Sequence, residues 1–184
     1  MKATGALVRL ALAAALLLTL AAGCGAAPEG SNPGQQPDGT FIAFARDFAD
    51  FRSWPSSQTD AAGDANVHIA GTRTVYINKM PAAGATSFDV GTLIVKTVQS
   101  AEIFARAKRG GNYNVDGAVG WEWFELLDTQ SGLAVVWRGI TPPAGSCPYG
   151  SLVGGVCNDC HKAGAANDFV LSPALQLSAP QQGM

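Results

Sequence analysis

The chain has 184 residues, of which 47% are hydrophobic and 14% charged. A soluble domain usually carries about 25% charged residues, so a chain held open by solvated charge is excluded. Basic and acidic residues number 12 and 14, a net charge of −2; no cationic surplus is left to neutralise a phosphate backbone, and nucleic acid is excluded as a partner.

At the N-terminus, Lys2 and Arg9 flank an apolar run from Leu10 to Ala22. That run falls short of the roughly 20 residues a bilayer span needs, and the pattern is an export signal. It closes on Leu20-Ala21-Ala22-Gly23-Cys24, which resembles the bacterial lipobox, where a signal peptidase cuts before the cysteine and the thiol is acylated. An ordinary secretory signal is the plainer alternative. Residues 1–23 are then the signal and Cys24 the lipidation site. Acyl chains supply about 0.8 kcal/mol per buried methylene, a durable anchor to a membrane the chain does not span. The expected location is exported and lipid-anchored, facing the periplasm. Gly25, standing where aspartate would retain the protein, favours the outer membrane. Residues 24–40 are rich in Gly, Pro, Gln and Asn and form a tether, with an r.m.s. reach of roughly 20–24 Å.

The folded domain is expected over residues 41–178. Phe41, Phe44, Phe48 and Phe51 recur at spacings of three and four, which predicts one apolar helical face packed into a core. Trp54-Pro55 ends that helix, because the residue before proline avoids helical backbone. The period then becomes two. Thr72–Ile77, Thr92–Val98 and Glu102–Lys108 read as strands, and Val119–Leu127 with Leu133–Arg138 as a hairpin around Asp128–Gly132. Few helical patterns separate them, so the sheet should be antiparallel. The expected fold is α+β: a single domain on a twisted antiparallel sheet, with an N-terminal helix before it and a C-terminal helix after it.

That last helix holds Cys157-Asn158-Asp159-Cys160-His161, the attachment signature of haem c. Two cysteines three apart lie on one helical turn and reach the two porphyrin vinyl groups as thioethers. The histidine that follows is the proximal iron ligand. Export agrees with this, since c-type haem is attached outside the cytoplasm. Three other uses of the motif are open. A zinc site needs four ligands, and only Cys147 and the distant His68 would add to the three. A thioredoxin-like pair wants a strand immediately upstream, where this chain has a glycine-rich loop. A disulfide between Cys147 and Cys157 orphans Cys160. Cys147 itself is either an unpaired thiol or an intermolecular bridge. After His161 the sole methionine is Met184, so a late methionine ligand is excluded. Met80 and His68 remain as sixth-ligand candidates, each with an ordinary structural role as its simpler reading. The expectation is a five-coordinate iron with an open face for a small molecule.

A haem motif near the C-terminus of a strand-rich chain is similar to cytochrome P-460 and its sister family, the β-type cytochromes c-prime. The matching segments are Arg73-Thr74-Val75-Tyr76, Gly91-Thr92-Leu93-Ile94-Val95-Lys96, and the haem motif followed by Asp168-Phe169-Val170; Gly120–Leu126 is a looser match. The resemblance implies a homodimer of mostly antiparallel β fold. It also implies, for the P-460 type, a covalent link between a lysine amine and the haem, with oxidation of hydroxylamine and nitric oxide species. Lys96 falls on that lysine. Alternation independently places Lys96 with Ile94 and Val98 on an inward face, where a desolvated amine becomes a nucleophile; a lysine snorkelling at the sheet edge is the plainer reading. Arg73 matches a family arginine that faces the distal pocket. The chain departs from the pattern at Tyr149–Val156, which holds no acid, where hydroxylamine-oxidising members supply a distal proton acceptor. Glu122 and Glu125 are the nearest acids and fall on opposite faces of their strand.

The leading expectation is a haem c oxidoreductase acting on hydroxylamine or nitric oxide, with Lys96 and Arg73 at the site, Cys157, Cys160 and His161 holding the haem, and a soluble or membrane electron acceptor as partner. Leu152 and Val153 before the motif support a second: a non-catalytic nitric oxide or carbon monoxide binder. A simple electron carrier and a lipoprotein whose cysteines make only disulfides complete the set.

Overall fold

Among the described residues six strands follow one another in a single antiparallel sheet, in the order of the chain. The structure, a computed structural model, describes residue 36 and residues 38–60, 72–98, 103–143 and 157–178. The chain divides into two compact units, Met1–Ser31 and Asn32–Met184, and the description concerns the second. Cys24, the signal, most of the tether, His68, Glu102, Cys147, Tyr149–Val156 and Met184 lie outside the described residues. Among the described residues no helix is long and apolar enough to cross a membrane.

The strands are β1 (Ser56–Asp60), β2 (Thr72–Ile77), β3 (Leu93–Val98), β4 (Ile103–Lys108), β5 (Trp121–Thr129) and β6 (Gly132–Gly139). The five strands expected from alternation are present. β1 is additional: Ser-Ser-Gln-Thr-Asp has no apolar period to betray it. It pairs only with β2, and an edge strand of polar residues needs the ladder alone and discourages further pairing. The β5–β6 turn is tighter than expected, since Thr129 pairs with Gly132 and only Gln130 and Ser131 lie between them. Gly132 takes φ +111° there, backbone that a side chain resists.

Period two gives the sheet two faces, and each carries its own core. On the first, Leu93, Val95, Ile103, Ala105, Phe124 and Leu126 pack with Phe41, Ala43, Phe48 and Phe51 from the segment preceding β1. That segment corrects the expected N-terminal helix. It forms two short 3-10 turns, Ala45–Phe48 and Phe51–Ser53, and Phe44 is 42% exposed while the other three phenylalanines are buried. Phe44 precedes the first turn in extended backbone, and its N–H donates to Asp47 Oδ2 at 2.7 Å. Spacings of three and four fit successive 3-10 turns as well as an α-helix, so the period did not separate them. Trp54 is extended before Pro55, as the proline requires.

On the second face, Val75, Ile77, Ile94, Trp121, Trp123 and Trp137 pack with Phe88, Ala118, Val170 and Leu175. Strict alternation would put Trp137 on the first face with Val135. Instead Leu126 pairs with Val135 and Glu125 with Trp137, so Val136 is a bulge that turns Trp137 over to the second face. The same bulge leaves Val136 55% exposed. The cysteine–histidine motif forms the short helix α1 (Cys157–His161), which continues as a 3-10 turn over Lys162–Asn167. Cys157 and Phe169 pack against this second cluster. The described residues are therefore α+β, with little helix beyond the motif.

Candidate functional site

Helix α1 is one turn, so Cys157, Cys160 and His161 share a short stretch of regular backbone. The chain then reverses at Asp168 and Phe169, two successive residues with φ of 50° and 63°. Left-handed backbone costs a residue with a Cβ about 1–2 kcal/mol, and such positions persist where surroundings fix them. Here Asp168 is fixed at every polar atom. One carboxylate oxygen pairs with Lys108 Nζ at 2.6 Å, the other accepts the Phe88 N–H at 2.9 Å, and its carbonyl accepts the Trp121 indole N–H at 2.9 Å. Asn167 ties down the following segment, donating to Val170 O and Leu175 O and accepting from Leu177 N–H.

The reversal aims the Phe169 carbonyl at the motif's histidine. His161 Nδ1 lies 2.8 Å from Phe169 O. Arg106 Nη1 lies 2.9 Å from the same oxygen and 3.2 Å from Nδ1. A carbonyl oxygen only accepts, so Nδ1 carries the ring proton and Arg106 takes the second lone pair. The arginine–imidazole approach is then a contact and not a bond. In the neutral ring Nε2 is then the unprotonated nitrogen, the tautomer that metal-ligating histidines adopt when a carbonyl holds the other ring nitrogen. Trp123 packs on the ring with centroids 4.6 Å apart.

Arg106 comes from β4 and is 7% exposed. Its guanidinium sits 5.0 Å from the Trp121 ring and 5.8 Å from the Trp123 ring. Burial pushes its pKa down to about 9, with Asp168 acting in the opposite direction; it is still protonated at neutral pH. Lys108, two residues along the same strand face, holds Asp168. One strand thus places two cations against the turn that orients His161.

The motif is also held through Asn158. Its Oδ1 accepts from Asn114 Nδ2 (2.8 Å), Trp123 Nε1 (3.0 Å) and Ala118 N–H (3.3 Å), and its Nδ2 donates to Asn114 Oδ1 (2.8 Å). Gly117 makes this possible, because a Cβ there would lie 2.3 Å from Asn158 Nδ2. Asn114, itself at φ 57°, is buried and also bonds Trp121 O.

Cys157 and Cys160 are free, half-buried thiols. Burial raises the Cys157 pKa to about 11, so its sulfur is protonated at neutral pH. Among the described residues no three His, Cys, Asp or Glu side chains gather as metal ligands. One turn with two thiols outside any disulfide and a histidine whose Nδ1 proton is held by a carbonyl fits covalent haem c.

The second face continues beyond the motif as a cross-strand row: Val75 opposite Lys96, Lys96 opposite Phe104, Phe104 opposite Glu125, and Glu125 opposite Trp137. Arg73 is opposite Val98 on the same face, diagonal to Lys96. Lys96 is half-buried, with Nζ 5.1 Å from the Phe104 ring centroid, and its charge acts to lower the Cys157 pKa against the larger effect of burial. Met80 packs against the same cluster. The two acids separate. Glu122 belongs to the first face, buried and paired with Arg138 at 2.7 Å and Arg109 at 3.3 Å. Glu125 belongs to the second, where it accepts the Trp137 indole N–H at 2.7 Å.

Motif spacing singles out Cys157, Cys160 and His161. It does not reach Arg106, Asn114, Asn158 or the orienting role of Asp168 and Phe169. A charged residue centred in the strand Ile103–Lys108, between Ala105 and Ala107, is the one signal pointing to Arg106. Comparison of the chain with protein-family models, with curated proteins and with solved structures gave no match.

Proposed function

We propose that this chain is an exported, lipid-anchored, mono-haem c protein of the cytochrome P-460 kind, acting on hydroxylamine or nitric oxide as an oxidoreductase. The observation that carries the reading is the state of His161 inside its motif. Its Nδ1 proton is committed to Phe169 O at 2.8 Å, which makes Nε2 the ring nitrogen that would ligate iron, while neither thiol of the same turn is in a disulfide. Cys157 and Cys160 would attach the haem and His161 would ligate it. Bound haem supplies an iron centre that takes small ligands and passes electrons one at a time.

The residues of the second face then divide the work. Arg73 would donate hydrogen bonds to a nitrogenous ligand. Lys96 is the residue that the resemblance places at the haem crosslink. Glu125 is the acid of β5 on this face and the candidate to hold a proton released by substrate, with Trp137 Nε1 fixing its Oε2. Electrons leave to a soluble or membrane acceptor. The assembly is a homodimer held to the outer membrane by acylated Cys24.

One observation favours the second reading, a nitric oxide or carbon monoxide binder without turnover. Lys96 and Glu125 are separated in the row by Phe104, and Val75 and Val98 are buried beside them, an apolar setting suited to neutral diatomics. The test is expression of the mature domain in a host competent in c-type maturation, followed by hydroxylamine consumption with an electron-accepting dye. Turnover that falls at least tenfold in Glu125→Gln supports the oxidoreductase. A red protein that binds nitric oxide and leaves hydroxylamine untouched supports the binder, and a colourless protein contradicts both.

A further inference from the structure

We propose that Arg106 is a positioning residue that raises the reduction potential of the proximal iron by sharing the Phe169 carbonyl with His161. The inference rests on the haem c reading of the motif. Its geometry is a triangle: Phe169 O accepts from His161 Nδ1 at 2.8 Å and from Arg106 Nη1 at 2.9 Å, with the two nitrogens 3.2 Å apart.

A carbonyl bound to Nδ1–H draws the ring proton toward itself and gives the imidazole imidazolate character. An imidazolate-like ring donates more charge to iron and favours the ferric state. Arg106 opposes this in two ways. Its cationic N–H occupies the oxygen's second lone pair and weakens that oxygen as an acceptor. Its fixed charge, buried against two indoles, also lies 3.2 Å from the ring nitrogen, where water does not screen it and ferrous iron gains relative to ferric.

The arrangement is built to last. Trp121 and Trp123 pack against the guanidinium, and Asp168 holds the neighbouring reversal through Lys108 at 2.6 Å. Asp168 directs its hydrogen bonds to Lys108 and the Phe88 N–H and acts on the guanidinium through its charge. Arg106 is therefore left to act on the carbonyl and the ring together.

The test is spectroelectrochemistry and resonance Raman of the haem-loaded mature domain. Arg106→Gln keeps a donor without the charge, and its Fe(III)/Fe(II) equilibrium is expected to shift about tenfold toward ferric, a potential lower by ~59 mV for one electron. Its ferrous iron–histidine stretch should rise as the ring gains imidazolate character. Arg106→Lys restores the charge and should hold the wild-type ratio within about twofold. Arg106→Met takes the place of the glutamine variant if that fails to fold, with the same expected direction. The wild-type stretch should itself fall in the neutral-imidazole range, a reading that needs no variant. A haem-loaded neutral variant with wild-type potential, a lysine variant as low as the neutral ones, or an imidazolate-like wild-type stretch overturns the role of Arg106 alone. A wild-type chain that takes up no haem overturns the motif reading beneath it.

Discussion

Asn158 shows how much one side chain between two cysteines contributes. Its carbonyl oxygen satisfies three donors and its amide one acceptor, all from the 114–123 stretch. Asn158→Ala removes these bonds while Asn114 Nδ2 keeps Trp121 O, and a net loss of about 0.5–1.5 kcal/mol per hydrogen bond sets the scale. Urea unfolding of the haem-free domain should show a loss of about 2–3 kcal/mol; a loss under ~0.5 kcal/mol would mean that water replaces the amide without cost. Cys157 adds a pH dependence of known sign. Its pKa is raised by burial from 9.0 to about 11, so the folded chain holds the proton that the unfolded chain releases. The stability tied to that proton is whole below pH 9 and is lost as pH rises to 11, by at most about 2–3 kcal/mol. Haem attachment converts the thiol to a thioether and removes this contribution. Haem-free protein should therefore destabilise across that window by more than haem-loaded protein, and equal slopes would contradict the buried-thiol picture.

Among the elements, β5 makes the sharpest separation, since neighbouring acids serve different faces. Glu122, 2% exposed, neutralises Arg138 and Arg109 within the first core. Removing the carboxylate by Glu122→Ala leaves two cations uncompensated and should cost about 2–4 kcal/mol, with the visible spectrum of the haem-loaded protein unchanged. Glu125→Gln keeps a hydrogen-bond acceptor for Trp137 and should cost under ~1 kcal/mol while altering ligand chemistry at the second face. Thermal melts paired with nitric oxide titrations separate the two effects, and a spectral change in Glu122→Ala would contradict the assignment of faces. That Glu122 and Glu125 oppose each other is plain from alternation. The position of Trp137 is not, because the Val136 bulge reverses the parity of β6 and nothing local in Leu133–Arg138 marks it. β1 escapes for the opposite reason: its polar residues obey no period, and only the ladder with β2 defines it.

Across the whole molecule, one sheet keeps two cores apart. The first core is rich in phenylalanine, and the tryptophan-rich second packs against Cys157 of the motif. Strands β2 to β6 are legible because β-branched and aromatic residues alternate within them. The motif is legible because two cysteines three apart followed directly by a histidine form a distinctive spacing. What orients it is not legible: Arg106 meets His161 and Phe169 across 55 and 63 residues of chain, a juxtaposition that only the meander creates. The left-handed pair Asp168-Phe169 is equally hidden, since neither residue type announces positive φ as glycine does.

The central claim is that Cys157 and Cys160 carry haem ligated by His161. The most direct measurement is mass spectrometry of a protease digest of the mature domain, expressed with c-type haem maturation. The account expects one haem on the peptide spanning Cys157–Cys160, with the Lys96 peptide joined to it if the crosslinked, catalytic form is correct and separate if the protein is a gas binder. A digest in which that peptide carries two unmodified or disulfide-bonded cysteines and no haem would contradict the account.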